Sequence, residues 1–546
     1  MFKIKNILWM GVLALACASC SDDYLTTPPS NLISSETFYK SATQSEQAII
    51  GLYADMSTLD LNGYIYLSEC RSDNLWVDPH PNALKEYSEV GTFRASYDIV
   101  TFNQVWNLLY KTIYDANVVL SKIDGTEFKS ESTKEQFTGE IRFMRAWAYM
   151  ELARLFGNVP IIDKPVSPAE SKTIKQSTAK EVFSKMVIPD LKEAVNLLPY
   201  KNKMVSATGS SVSSEGRADK IAAQAMLARA YMTMAGYPFN DTSAKSSAKT
   251  LLKEILGYSA QNSNAYWAPN IDEWRKQWTP NSDYYNKYSI FAIQHRLMEG
   301  RSDVVFYMTP GLAPSYTSKR IYGNHIYVEK SLEYEFERTF SNGNRDLRGI
   351  GYSTLESMAA EKNFNEYANS KGSYTTDEGK TVDVYEKTIF YKFTPSKHKM
   401  AALGMSFDES QMKNDSDWPI NYPILRLEDM MLLYAEILTE EGNIDEAMKL
   451  VNKIRKRAGI DDTAASSKEE AMKAIKRERR LELAGEGIRW FDEVRYGEWK
   501  ELTEKMFDRY NNPDGTDKAD IRNYLCPIPQ NQMITVPGLY NQNEGY

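Results

Sequence analysis

Residues 427–459 read LEDMMLLYAEILTEEGNIDEAMKLVNKIRKRAG. Leu427 to Glu440 is amphipathic at helical spacing, Gly442-Asn443 interrupts it, and Ile444 to Arg457 resumes it, with Gly459 as the stop. The stretch predicts two helices joined by a tight turn. Lys468 to Leu483 adds another helix downstream. Upstream, Lys220 to Ala235 is alanine-rich, with Ala223, Leu227 and Tyr231 on one face. Lys180 to Leu198 is a helix closed by Pro199. Glu140 to Phe156 places Ile141, Met144, Ala148, Leu152 and Leu155 at helical spacing, ends at Gly157 and is barred from continuing by Pro160. Residues 102–123 and Ser45 to Leu59 carry the same pattern. Such stripes are chiefly core-facing surfaces.

Ala435, Gly442 and Ala447 resemble the small residues of a tetratricopeptide hairpin, where one helix meets the next at close range. The expected fold is mostly α, a tetratricopeptide-like helical scaffold with a loop-rich insertion. Residues 258–418 lose the helical period and mix Tyr266, Trp267, Trp274, Trp278, Tyr284, Tyr285 and Tyr288 with Asn, Asp, Pro and Ser. A segment this long with little regular pattern is normally functional or a packed insertion. The chain therefore divides into a leader (1–19), a tether (20–40), a first scaffold part (41–257), the insertion (258–418), a second scaffold part (419–502) and a tail (503–546).

Of 546 residues, 42% are hydrophobic and 25% charged, which excludes wholesale disorder. The net charge of −8 argues against general affinity for nucleic acid phosphates. The basic run Lys473 to Arg480 is interleaved with acids and reads as a solvated or paired helix face. Lys3 and Lys5 precede a short apolar run from Ile7 to Ala16, too short to span a bilayer, so the amino end reads as a signal peptide. Ala18 and Ser19 before Cys20 resemble a bacterial lipobox, with Cys17 where Leu is usual, and Ser21-Asp22-Asp23 resembles an acidic surface-export signal. Cys20 is the expected lipidation site, and several acyl chains there would anchor the protein firmly. Cys70 and Cys526 are left, and their separation in sequence does not decide whether they pair.

Enzyme motifs are missing from the sequence. His80, His295, His325 and His398 are scattered, with no metal-ligand spacing, and there is no P-loop, dinucleotide fingerprint or nucleophile elbow. Asp514-Gly515-Thr516-Asp517 is rich in oxygen ligands but lacks the spacing of a calcium loop. The reading is no enzyme, no cofactor and no metal.

Several short motifs recur in a fixed order. Leu25-Thr26-Thr27-Pro28-Pro29 precedes Ser35-Glu36-Thr37-Phe38-Tyr39, and Trp106, Tyr110, Ile113, Ala116 and Asn117 share one helix. Glu140 to Ala146 and Leu155 to Pro160 follow, then Tyr434-Ala435-Glu436, Asn452 to Gly459, Glu478 to Leu483, Glu486 to Asp492, Pro527-Ile528-Pro529 and Gln542 to Tyr546, with Glu544 where Pro is common. In order and spacing, from residue 25 to the end, these resemble the SusD/RagB family of surface nutrient-binding lipoproteins. The resemblance implies an outer-membrane, lipid-anchored protein at the cell surface. It would capture an oligosaccharide and deliver it to a SusC-like TonB-dependent transporter. A RagB-like peptide-binding lipoprotein is the first alternative and a surface glycosidase the second. Within the motifs, Arg145, Arg455, Glu478, Arg479, Glu482, Glu486, Arg489 and Asp492 alternate in sign on predicted helices, as expected of buried Arg–carboxylate forks that lock helices together.

A sugar ring offers an apolar C–H face and a rim of hydroxyls. An exposed Trp or Tyr covers the face, while Asn, Asp or Arg bind the rim. Two clusters supply both, Ser72 to Trp76 followed by His80, Asn82 and Tyr87, and residues 264–288. The family resemblance places ligand sites in loops at the corresponding positions. The candidates are Trp76, Trp267, Trp278 and Tyr285 for stacking, with Asp73 and Asn74 as polar contacts. The competing expectation is that each aromatic fills the local core of its irregular segment.

Overall fold

The computed structural model describes residues 38–61, 63–77, 85–212, 216–280, 287–297, 326–349, 371–386, 388, 390–393, 397–414, 417–510 and 521–546. Tyr285, His80 and Cys20 lie outside them. The fold is mostly helical, as the periodicity predicts. Its first part contains α1 (Ala42–Leu61), α2 (Val100–Lys122), α3 (Glu131–Phe156), α4 (Ile188–Leu197), α5 (Lys220–Ala235) and α6 (Ala244–Gln261). The second part contains α7 (Leu427–Glu440), α8 (Ile444–Arg457), α9 (Lys468–Glu482), α10 (Arg489–Tyr496) and α11 (Trp499–Tyr510).

The quoted hairpin forms as read. Gly442 adopts φ +90°, Asn443 N–H donates to Leu438 O at 2.8 Å and Gly442 N–H to Thr439 O at 3.0 Å, closing α7 and reversing the chain into α8. The hydroxyl of Ser130 caps α3 by accepting from Thr133 N–H at 3.2 Å, and Gly157 ends that helix at φ +73°. Before α4, residues Phe183–Val187 form a π-turn. Pro189 explains it, because a ring without an N–H clashes with the preceding turn and the widened turn makes room.

Neighbouring helices pack pairwise, α1 on α2, α2 on α3, α5 on α6 and α7 on α8, while α6 also meets α7. Ala222, Ala223, Ala225, Ala228 and Ala230 of α5 are fully buried, so the alanine-rich helix sits close against several neighbours at once. One hydrophobic core runs from Ala42 to Tyr540 and takes in the middle of the chain as well as both helical parts. Short antiparallel pairs tie that middle down. They join β1 (Leu75–Val77) to β3 (Ile326–Val328) and β2 (Ser289–Ile293) to β6 (Tyr422–Arg426), the strand that leads into α7. A separate hairpin pairs β4 (Lys371–Thr375) with β5 (Thr381–Tyr385).

The alternating charges lie inside. Glu482 accepts from Arg348 Nη1 (2.9 Å), Arg426 Nη1 (2.8 Å), Arg457 Nη2 (2.6 Å) and Trp274 Nε1 (3.0 Å). Arg426 forks onto Glu486 with two 2.8 Å bonds. Arg479 forks onto Asp492 at 2.8 and 3.1 Å, and Arg145 onto Asp190 at 2.7 and 2.8 Å. Arg455 reaches Glu478 at 3.5 Å. Burial by itself raises the Glu482 carboxyl, but Arg457, Arg426 and Arg348 together outweigh it and hold it well below the ordinary range. Ions so desolvated persist only when every partner is present. Among the described residues no helix is long and apolar enough to cross a membrane, and no acidic, His or Cys cluster could hold a metal. Cys70 and Cys526 are buried free thiols.

Candidate functional site

An open groove begins where α6 ends. Its lining includes Tyr258, Asn262, Asn264, Tyr266, Trp267 and Tyr288, with Lys201 and Asn202 from the segment after α4. It encloses about 680 Å³. A second groove of about 760 Å³, lined by Tyr200, Tyr258, Gln224, Lys253 and Glu254 among others, shares Tyr258 with the first.

The chain after α6 folds tightly for local reasons. Ser263, Asn264 and Tyr266 all adopt left-handed φ angles, of 55°, 57° and 66°. Asn tolerates this region, and a run of such residues is a strained conformation that the surroundings must impose. Asn262 Nδ2 donates to Tyr258 O at 2.8 Å and Ser259 Oγ to Ala265 O at 2.6 Å. Asn270 then caps the short helix Ile271–Lys276 by accepting from Glu273 N–H at 3.0 Å.

Three tyrosines follow one another along this surface. Tyr200 and Tyr258 are half-buried and stack with ring centres 4.9 Å apart and 4° between planes. Tyr266 continues the row 6.5 Å from Tyr258, at 27°. The inner end is pinned, since Tyr266 Oη donates to Asp219 Oδ2 at 3.3 Å and Asp219 Oδ1 caps α5 by accepting Ala222 N–H at 2.8 Å. Tyr288 Oη donates to Glu273 Oε2 at 2.5 Å. Tyr200 and Tyr258 present flat apolar area, Tyr266, 4% exposed, backs them from inside, and exposed Asn202, Asn262 and Asn264 supply amide donors and acceptors nearby. Chemically that suits a ligand with both an apolar face and a hydroxyl rim.

Burial raises the Asp219 carboxyl to about 6, against smaller opposing effects from Ala222 N–H, Lys201 and the Tyr266 hydroxyl. A folded-state value above the ordinary 3.8 contributes stability that is complete below about 4 and is lost as pH rises through 6. Asp219→Asn keeps a capping oxygen and removes the ionisation. The variant gains on wild type by up to roughly 3 kcal/mol between pH 4 and 7 in denaturant unfolding. A constant difference across that range refutes the assignment.

The expected site residues divide among three places. Trp267 lines the groove but is largely buried. It is 8% exposed, and Lys453 Nζ and Arg457 Cζ lie 4.4 and 4.6 Å from its ring centre. Trp278, expected to stack on ligand, is instead 1% exposed in the core, between Trp274 and Phe393 and with Lys392 Nζ 4.3 Å over its ring. Asp73, expected as a polar ligand contact, is buried and takes a fork from Arg489 at 2.7 and 2.9 Å. Asn74 is likewise fully buried, donating to Glu69 Oε1 at 2.8 Å and accepting from Arg480 Nε at 3.1 Å. In both cases an ion network consumes the polar atoms a ligand would need. Trp76 is half-buried on β1 with one face covered by Tyr510, 4.0 Å away and nearly parallel. Tyr285 lies outside the described residues. The sequence reading missed Tyr200 and Tyr258, which sit at the ends of helices. Their signal was the Ser/Asn run 262–264, which demands a tight turn beside Tyr258.

Comparisons with known proteins agree along the chain. The family model described as the SusD family matches residues 214–546, and one described as starch-binding associating with outer membrane matches residues 23–232. SusD-like protein P25 of Formosa agariphila is 24% identical over 100% of both chains. Among solved structures, a SusD homologue from Bacteroides thetaiotaomicron is similar with TM-score 0.70 and 21% identity, covering 94% of this chain and 98% of that one. Surface glycan-binding protein A of the same species, solved in complex with laminarihexaose, is similar with TM-score 0.68 and 19% identity, covering 91% and 98%.

Proposed function

The chain belongs to the SusD family, and from that premise we propose that it is a cell-surface glycan-binding lipoprotein. It captures oligosaccharide in the tyrosine-lined groove and passes it to a SusC-like TonB-dependent transporter. Lipid on Cys20 anchors it to the outer membrane. It binds without cleaving. The observation that carries the reading is the parallel Tyr200–Tyr258 pair at the groove, continued by Tyr266. Family membership and the likeness to a glycan-binding protein solved with laminarihexaose support it, as does the lipobox-like amino end.

Rings held in place by the scaffold cover sugar C–H faces at small entropic cost, so modest contact area still yields useful affinity. The test is affinity electrophoresis and calorimetry against laminarin, soluble starch, xylan and charged glycans. Tyr258→Ala weakens binding of the retained glycan about tenfold, the equivalent of one lost stacking contact. Unchanged affinity moves the site elsewhere, and release of product sugars replaces the reading with an enzymatic one.

A further inference from the structure

We propose that this groove is built for an anionic glycan, one carrying carboxylate or sulfate groups. The inference rests on the glycan-binding reading of the same surface and adds the ligand's charge. Lys201 and Lys287 line the first groove, Lys249 and Lys253 the second, and among the described residues Glu254 is the only carboxylate lining either. The whole chain carries net charge −8, so the local sign opposes the global one.

The arrangement on α6 is specific. Lys245, Lys249 and Lys253 form a stripe at successive turns. Lys245 pairs with Glu440 at 2.6 Å and Lys249 with Glu441 at 2.7 Å, both acids at the carboxyl end of α7. Lys253, one turn further on, stands at the groove, exposed and without an ion pair among the described residues. Glu254 beside it is held by Gln224 Nε2 at 2.7 Å. In the first groove Lys287 is exposed, with its ammonium 5.1 Å from the centre of the Tyr288 ring. Cationic groups thus line both grooves that Tyr258 borders. A ligand lying along the rings brings its substituents to these ammonium groups, which bind anions as compact charges with three donors each. The same charges steer an acidic polymer toward the groove and disfavour a cationic one.

The test is calorimetry on the protein with two matched pairs of probes, oligogalacturonate against its methyl ester and dextran sulfate against dextran. The expected result is that the charged member of at least one pair binds about tenfold or more tightly than its neutral partner. That preference shrinks as salt rises from about 0.05 to about 0.5 M, because screening shortens the reach of exposed charges. The Lys253→Gln/Lys287→Gln double variant, altered only at exposed positions, brings the ratio toward one. The pair that responds distinguishes carboxylate from sulfate. Equal affinity within both pairs, no binding of either charged probe, or a preference untouched by the double variant overturns the proposal. Tyr258→Ala separates the two readings. If it weakens glycan binding while charge makes no difference, only the anion inference falls. If it leaves all glycan binding intact, the groove itself is not the site and both fall.

Discussion

Glu482→Gln destabilises the protein by about 3–5 kcal/mol in denaturant unfolding and lowers its yield of folded chain. Glu482 is fully buried and stands opposite Arg348, Arg426 and Arg457, which are themselves buried. The amide is nearly isosteric, so no cavity arises. The substitution removes the one carboxylate that Arg348, Arg426 and Arg457 share and turns an NH₂ donor toward other donors. The surface pair Lys449–Glu446 is the control, because its side chains are 70% and 63% exposed, and Glu446→Gln leaves the unfolding midpoint essentially in place. Acid gives a second check. A carboxyl held well below its ordinary value contributes stability that is present above about 4.5 and lost only as pH falls toward its lowered value. The gap between wild type and variant therefore persists at mildly acidic pH and narrows only in strong acid. A loss below about 1 kcal/mol near neutral pH would mean that the lattice tolerates a missing centre, contrary to the physics of desolvated ions.

Trp278→Ala has a comparable cost, again about 3–5 kcal/mol, and for a different reason. The indole is 1% exposed and fills the space between Trp274, Phe393 and the Lys392 ammonium. Its removal leaves a void and deprives Lys392 of a ring face. Burial already lowers the Lys392 ammonium to about 8, so its charged form depends on such neighbours and on Glu486. Glycan affinity, measured on the fraction that stays folded, is unchanged, since Trp278 is not among the residues lining either groove. Lost affinity at unchanged stability would return Trp278 to the binding surface.

The two substitutions probe one structural device. Among the described residues, the middle of the chain has only short helices and strands to hold its shape. Trp274 donates to Glu482, Arg348 bonds Glu478 and Glu482, and Lys392 bonds Glu486 and the carbonyls of Glu482 and Ala484. Helix α9 and the turn after it thus act as a charged spine to which irregular segments are fastened. Buried bidentate pairs impose geometry as well as energy. That is what a binding surface made of loops requires if its rings are to be in place before ligand arrives.

The helices were legible because a period near 3.6 with Gly, Pro and Ser at the ends is written locally. Leu427–Glu440, Ile444–Arg457 and Lys220–Ala235 have the bounds that their patterns predict. The paired role of Arg479 with Asp492 was legible for a similar reason, because acids and bases that alternate on helices need partners once buried. Which aromatic side chains face water was not legible. Trp267 and Trp278 lie in the same irregular stretch with similar neighbours in sequence, yet one edges a groove and the other fills the core. Burial of a ring depends on what distant segments bring over it, here Phe393 and Lys392 for Trp278. Likewise Asp73 looked available until Arg489, remote in sequence, claimed both its oxygens. The sequence alone determined the helical scaffold, its breaks and its family, since those depend on short-range spacing and on motifs in order. That Tyr200 and Tyr258 stack at a half-open surface while Asp73, Asn74 and Trp278 are withdrawn came from the folded chain alone, because solvent exposure is a property of contacts between segments far apart in sequence.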